Sequence, residues 1–237
     1  MVSNFVNLDN VMHADTKVDN RPSAAYGDQL NQVRVLVTEF EEIQREYAIF
    51  FRKTESGEFY AVALLGLDKD ENLFLEDMEW KARYIPAVLQ RGPFQIGIPQ
   101  NSAPIIKIDM GNSRVNAEHG QALFKPNGGL TPYLEHISQT LKKIHVGLEM
   151  NGEFFQELSE ASLIESVTLD LKVNNELSYK IPELFSIDET AFKLLTGPVL
   201  EKFHASGLLS LCQFVLASRK NIRHLIDLKL IRMNASS

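Results

Sequence analysis

The stretch from Tyr47 to Leu67, YAIFFRKTESGEFYAVALLGL, constrains the fold more than any other part of this chain. Two strand-length apolar runs flank Thr54-Glu55-Ser56-Gly57, a turn-forming tetrapeptide. A half-buried strand alternates apolar and polar residues, because only one of its faces leaves water. These runs are apolar on both faces. They predict a β-hairpin at the centre of a sheet, with strands beside it and packing layers above and below.

A second hairpin follows from alternation and register. In ESVTLDLKV, residues Val167, Leu169, Leu171 and Val173 point one way, and LSYKI returns with Leu177, Tyr179 and Ile181. A two-residue turn would set apolar faces against polar ones. A three-residue turn, Asn174-Asn175-Glu176, pairs Val173 with Leu177, Leu171 with Tyr179 and Leu169 with Ile181. That is the expected register.

Helical segments are marked by their caps and stripes. TEFEEIQREY reads as a short helix capped by Thr38, with Phe40 and Ile43 inward. Thr131 and Pro132 open a longer helix, with Leu134, Ile137, Leu141, Ile144 and Leu148 on one stripe. Asn151-Gly152 is expected to separate it from a second helix, NGEFFQELSEASL. After Pro182 the chain reads as helical, with Asp188 as a cap and breaks at Gly197-Pro198 and Ser206-Gly207. Ser218 is the expected cap of a last helix reaching about Leu230. The fold class is α+β: an antiparallel or mixed sheet with helices in the first two-thirds, and a helical C-terminal third. Residues 1–30, rich in Asn, Asp and Ser, read as an extended or partly disordered arm, and residues 31–237 as one domain.

WKARYIPAVLQRGPFQIGIP, residues 80–99, concentrates three of the nine prolines and the single tryptophan. Pro86 disfavours a helical Ile85 and suits a helix start. Gly92 suits a left-handed residue ending that helix, and Pro93 prevents its continuation. The segment predicts extended chain, one or two helical turns from Pro86, then strands FQIGI and PIIKI. Trp80, Arg83, Tyr84 and Arg91 are also residue types that dominate binding hot spots. The competing reading packs both rings on the sheet and leaves the arginines to snorkel or to pair with acids.

The formal charge of −7 and pI near 5.4 argue against nonspecific nucleic-acid or anionic-lipid binding. One cysteine, Cys212, lies in an apolar run and offers no internal disulfide. The N-terminus lacks a basic and apolar leader, and no stretch approaches the length of a membrane span. A cytoplasmic protein is the expectation.

Candidate chemistry is sparse. In DKDENLFLEDME, residues Asp68, Asp70, Asn72 and Glu79 fit positions of a calcium loop, but Leu73 stands where its sharp turn needs glycine. That favours a solvated acidic turn. Six histidines form no metal-ligand spacing; Asp109, Glu118 and His119 share a loop that could hide a site. No nucleophile elbow, phosphate loop or dinucleotide fingerprint is present. Neither metal nor cofactor is expected. The C-terminal SRKNIRHLIDLKLIRM carries Arg219, Lys220, Arg223, Lys229 and Arg232 against Asp227, either a solvated helix face or a docking face for an acidic protein partner.

Several blocks, in order, resemble the SapC family: REYAIFFRK, VALLGL, ENLFL, WKARYIPAVLQRGPF, LFSIDETAFKLL and FHASGLLSLCQFVLASRKNIRHLI. The resemblance covers roughly residues 30–230. The block around Trp80, Tyr84, Pro86, Arg91, Pro93 and Phe94 is its most specific part, together with Ile187-Asp188-Glu189. Gly92 stands where the family commonly has tyrosine. The resemblance implies a bacterial protein of a family named for a surface-layer connection. Members are often encoded beside TonB-dependent receptors, cupin-like proteins and flavin-dependent halogenase-like proteins. It brings no catalytic residues. The expectation is an interaction or accessory protein of surface-layer or outer-membrane uptake systems. The alternative is an enzyme, or an enzyme's partner, acting with the cupin-like or halogenase-like proteins.

Overall fold

The structure, a computed structural model, describes residues 4–99 and 103–235. Its strands and helices begin with β1 (Phe5–Asn7), β2 (Lys17–Val18), β3 (Gln32–Val35), α1 (Phe40–Ile43), β4 (Ile49–Lys53) and β5 (Phe59–Leu64). Short strands β6 (Leu75–Glu76) and β7 (Glu79–Trp80) precede α2 (Ala87–Gln90), β8 (Phe94–Gly97), β9 (Ile105–Asp109) and β10 (Gln121–Ala122). The long helix α3 (Pro132–Glu160) leads to β11 (Ile164–Lys172) and β12 (Ser178–Ile187). Helices α4 (Glu189–Lys193), α5 (Gly197–Ala205), α6 (Leu208–Ser218) and α7 (Asn221–Ala235) complete the chain. The class is α+β with antiparallel sheets and a helical C-terminal region. No helix among the described residues is long and apolar enough to cross a membrane.

The main sheet has the order β11-β12-β4-β5-β3, so the doubly apolar hairpin β4–β5 is interior. Phe51 meets Phe154 and Phe155 of α3 edge-on, at 6.1 and 5.0 Å between ring centroids. On the opposite face Phe50 pairs with Val62, and both are buried. The hairpin is therefore covered on both sides, as its composition requires. The 164–187 hairpin has the expected register, with Leu169 opposite Ile181 and Leu171 opposite Tyr179. The Val173 N–H reaches the Leu177 carbonyl at 3.0 Å across the three-residue turn.

Five local expectations are corrected. Strand β12 continues through Pro182 to Ile187 where helix was expected. The missing proline N–H falls at a bulge: register shifts between Val167 and Leu169, Glu183 has φ +58°, and Arg52 donates to the carbonyls of Pro182 and Glu183. Helix α3 passes Asn151-Gly152 unbroken, because the buried Asn151 Oδ1 accepts the Val37 N–H at 2.9 Å and anchors that turn. Leu148 is 49% exposed. The inward position is Gly147, where a Cβ would stand 2.8 Å from Leu36 Cβ, so only glycine admits the chain that crosses there. Thr38 caps nothing; it lies within a 3₁₀ turn, and the Glu39 carboxylate accepts the Leu36 N–H instead. Ser218 ends α6, its hydroxyl bonded to the Val215 carbonyl and the Ile49 N–H, and the last helix starts at Asn221 and runs to Ala235.

A second apolar core joins β8, β9 and the first turns of α3 through Phe94, Ile108, Leu134, Ile137 and Leu141. The N-terminal segment, expected as an arm, belongs to it. Strand β1 pairs with β9, β2 pairs with β10, and Val18 is fully buried. Its apolar residues are too few to show periodicity, so only their tertiary partners reveal their role. Helix α3 spans both cores, its first half on this one and Phe154, Phe155 and Leu158 in the other.

Candidate functional site

The Trp80–Arg91 segment is held by a chain of partly buried hydrogen bonds. Pro86 keeps φ −53° and ψ 136° as the N-cap of α2, and its carbonyl accepts the Leu89 and Gln90 N–H groups. Gly92 ends the helix with φ +52°. Upstream, Trp80 Nε1 donates to the Tyr47 hydroxyl at 2.7 Å, which donates to the Tyr84 carbonyl at 2.5 Å. Both rings thus pack inward. The Tyr84 hydroxyl donates to Glu39 at 2.9 Å, and the same carboxylate oxygen accepts the Ala87 N–H at 2.6 Å. Glu39 has no solvent exposure, and burial raises its pKa against those bonds. Burial, then the neighbouring Glu39, pushes the Tyr84 hydroxyl up as well. Lys143 of α3 closes the set, with Nζ 3.0 Å from the Tyr84 hydroxyl and 4.9 Å from its ring centroid.

Above this floor lies an open groove of about 520 Å³. Arg83, Ile85, Ala87 and Gln90 form one wall, and Tyr133, His136, Gln139, Thr140 and Lys143 of α3 form the other. His136 and Gln90 touch across it, Nε2 to Oε1 at 2.9 Å. Arg83 is exposed, while its backbone N–H is tied to Glu46 at 2.8 Å.

The remaining candidate residues lie elsewhere. Arg91 is half-buried, does not line the groove, and donates to the Phe94 carbonyl at 3.4 Å. Arg219 is built into the fold: its guanidinium meets Glu165 at 3.1 Å, the Ser186 hydroxyl at 2.8 Å and the Ile187 carbonyl. Lys220 is exposed at the α6–α7 corner, and Arg223 pairs with Asp227 one turn on. The acidic turn finds its cation within the chain. Lys229 Nζ lies 2.5 Å from Asp68 and 2.7 Å from Glu71, and Arg232 caps the carbonyls of Asn72 and Leu75. Asp109 accepts the N–H groups of Asn4 and Gly111, while Glu118 and His119 are exposed. Among the described residues no three His, Cys, Asp or Glu side chains converge as a metal cluster.

Two features escaped the sequence. Glu39 sits in an acidic run that reads as solvated; the available signal was its place three residues after Leu36, where a glutamate can reach back to a helix's first N–H. The second is a buried ion pair, Arg114 to Asp28 at 2.5 Å, with Arg114 lying over the Tyr26 ring at 4.4 Å. Its partners are 86 positions apart, and no local pattern links them.

The groove therefore combines a hydrogen-bonded polar floor with cationic and amide donors at its rim. It can orient a ligand carrying hydrogen-bond acceptors or negative charge. No curated protein and no solved structure matches the chain. A family model described as SapC matches residues 8–225, which include both cores, the groove and the α6–α7 corner. By that match this chain belongs to the SapC family.

Proposed function

We propose that this protein is a non-enzymatic accessory protein of bacterial surface-layer or outer-membrane uptake systems, and that it docks a protein partner in the groove between residues 83–90 and α3. One observation carries the reading. The segment with the family's most specific block is immobilised by the Trp80–Tyr47–Tyr84–Glu39 chain of bonds, and the same segment forms a groove wall. A wall ordered in advance loses little entropy on binding. Gln139→Trp, at an exposed position, would fill the groove without entering either core. Partners captured in the native host by wild-type protein and by this variant are compared by mass spectrometry. Loss of a surface-layer or uptake component with the variant is the expected result; identical profiles overturn the reading.

A second reading, an enzyme or enzyme partner, draws on the Glu39–Tyr84–Lys143 set. A carboxyl with raised pKa below a hydroxyl and an ammonium resembles the perturbed groups of catalytic clefts. Stoichiometric metal or flavin in protein purified from the host would favour it.

A further inference from the structure

The groove's lining has a chemical bias that the chain as a whole lacks. The protein holds 31 Asp and Glu against 24 Lys and Arg, yet no residue lining the groove is acidic. Glu39 lies beneath the floor, enclosed by the N–H groups of Leu36 and Ala87 and by the Tyr84 hydroxyl. Glu46 is engaged by the Arg83 backbone. Neither Arg83 nor Lys143 forms an ion pair among the described residues.

Hydroxyl donors add to these cations. Thr140 is 5% exposed, lines the groove and makes no side-chain hydrogen bond among the described residues. A helical threonine ordinarily bonds back to a carbonyl of the preceding turn. Tyr133 packs its ring against Phe94 at 6.3 Å, and its hydroxyl is likewise without a partner among the described residues. Two hydroxyls at the groove without a protein partner among the described residues, beside two cations that form no ion pair there, fit an anionic acceptor in the groove.

Length argues for a chain segment. Tyr133 and Lys143 are ten helical steps apart on α3, about 15 Å at the helical rise. An extended peptide covers that distance in about four or five residues. Resting on the docking reading above, we propose that the groove takes an extended acidic segment of the partner protein, its carboxylates bridging Arg83 and Lys143.

The test uses a labelled peptide, Ac-Glu-Glu-Phe-Glu-Glu-NH2, and its uncharged counterpart, Ac-Gln-Gln-Phe-Gln-Gln-NH2, with the full chain. Saturable binding of the acidic peptide is expected, weakening as salt rises. Both the uncharged peptide and the Arg83→Glu variant should bind about tenfold or more weakly. Arg83 is exposed and its side chain makes no hydrogen bond among the described residues, so the variant should melt as wild type does. Lys143→Gln gives a second, independent reading of the same loss. Failure of the acidic peptide to saturate, equal binding of both peptides, or indifference to both substitutions overturns the inference. So does competition by free glutarate at concentrations as low as the peptide's, which would assign the groove to small anions. If Gln139→Trp still changes the captured partners while the acidic peptide fails, docking stands and the acidic-segment inference falls.

Discussion

Glu39 makes a measurable demand at the scale of one residue. Its carboxyl is fully buried, and burial raises its pKa above the ordinary 4.5. The folded state then binds its proton more tightly than the unfolded state does. Its contribution to stability is greatest below the unfolded pKa and is lost as pH rises through the raised folded-state pKa. Glu39→Gln cannot ionise and lacks that decline. Denaturant titrations of both proteins at stepped pH should show the wild-type advantage shrinking as pH rises; a constant difference would contradict the assignment. Gly92 makes a conformational demand. Its φ of +52° is strained for a β-branched residue, and an added Cβ stands 3.8 Å from Arg114 of the buried ion pair. Gly92→Val should destabilise by about 1–2 kcal/mol in chemical denaturation, and Gly92→Asn by less, since asparagine tolerates the left-handed region. The demand at Gly92 could be read from its neighbours Leu89, Gln90 and Pro93. At Glu39 the spacing from Leu36 signals the local bond but not the burial, which comes from Tyr84 and Ala87 more than forty positions away.

At the scale of the element, α3 shows where local signals lose. Asn-Gly is a strong turn dipeptide, but a glycine within a helix costs only about 1 kcal/mol relative to alanine. The Asn151–Val37 bond and the Phe154–Phe155 packing in the core outweigh it. A Cβ at Gly152 would meet nothing within 4 Å. Gly152→Ala should therefore stabilise the protein by about 0.5–1 kcal/mol, read from a shift in the denaturation midpoint. A turn at this position would instead make the substitution neutral or harmful. The 164–187 hairpin shows local signals winning: strict alternation admits one register, and pairing follows it as far as Leu169. Beyond that point the bulge at Pro182-Glu183 depends on Arg52 in another strand.

For the whole molecule, the C-terminal helices are fastened by charge as well as by apolar packing. Arg219 ties the α6–α7 corner to Glu165, Ser186 and Ile187, while Lys229 and Arg232 fasten α7 to the acidic turn at residues 68–75. Asn221 adds bonds to the carbonyls of Gln44 and Tyr47. Arg219→Glu would oppose Glu165 and leave the Ser186 hydroxyl and the Ile187 carbonyl without this donor. A loss of about 1–3 kcal/mol is expected, reduced from the buried-pair value because both side chains are partly solvated. Lys220→Glu, at an exposed neighbour, should change stability by no more than about 0.5 kcal/mol. Thermal melts of the two single variants check the contrast; equal effects would mean that Arg219 is merely a surface charge.

Local sequence suffices for the interior hairpin, the register at Leu169 and Leu171, the helix start at Thr131 and the joint from Pro86 to Gly92. Each rests on neighbours within a few residues, where periodicity, proline and glycine sterics act directly on the backbone. Tertiary structure alone decided which charges are internal. Arg219, Lys229, Arg114 and Glu39 look like solvated surface residues in their own segments, and partners tens of residues away draw the first partly and the others almost wholly out of water. The groove has the same origin. Its walls are separated by more than forty residues, so its acid-free lining exists only once the Trp80–Arg91 segment is bonded against α3.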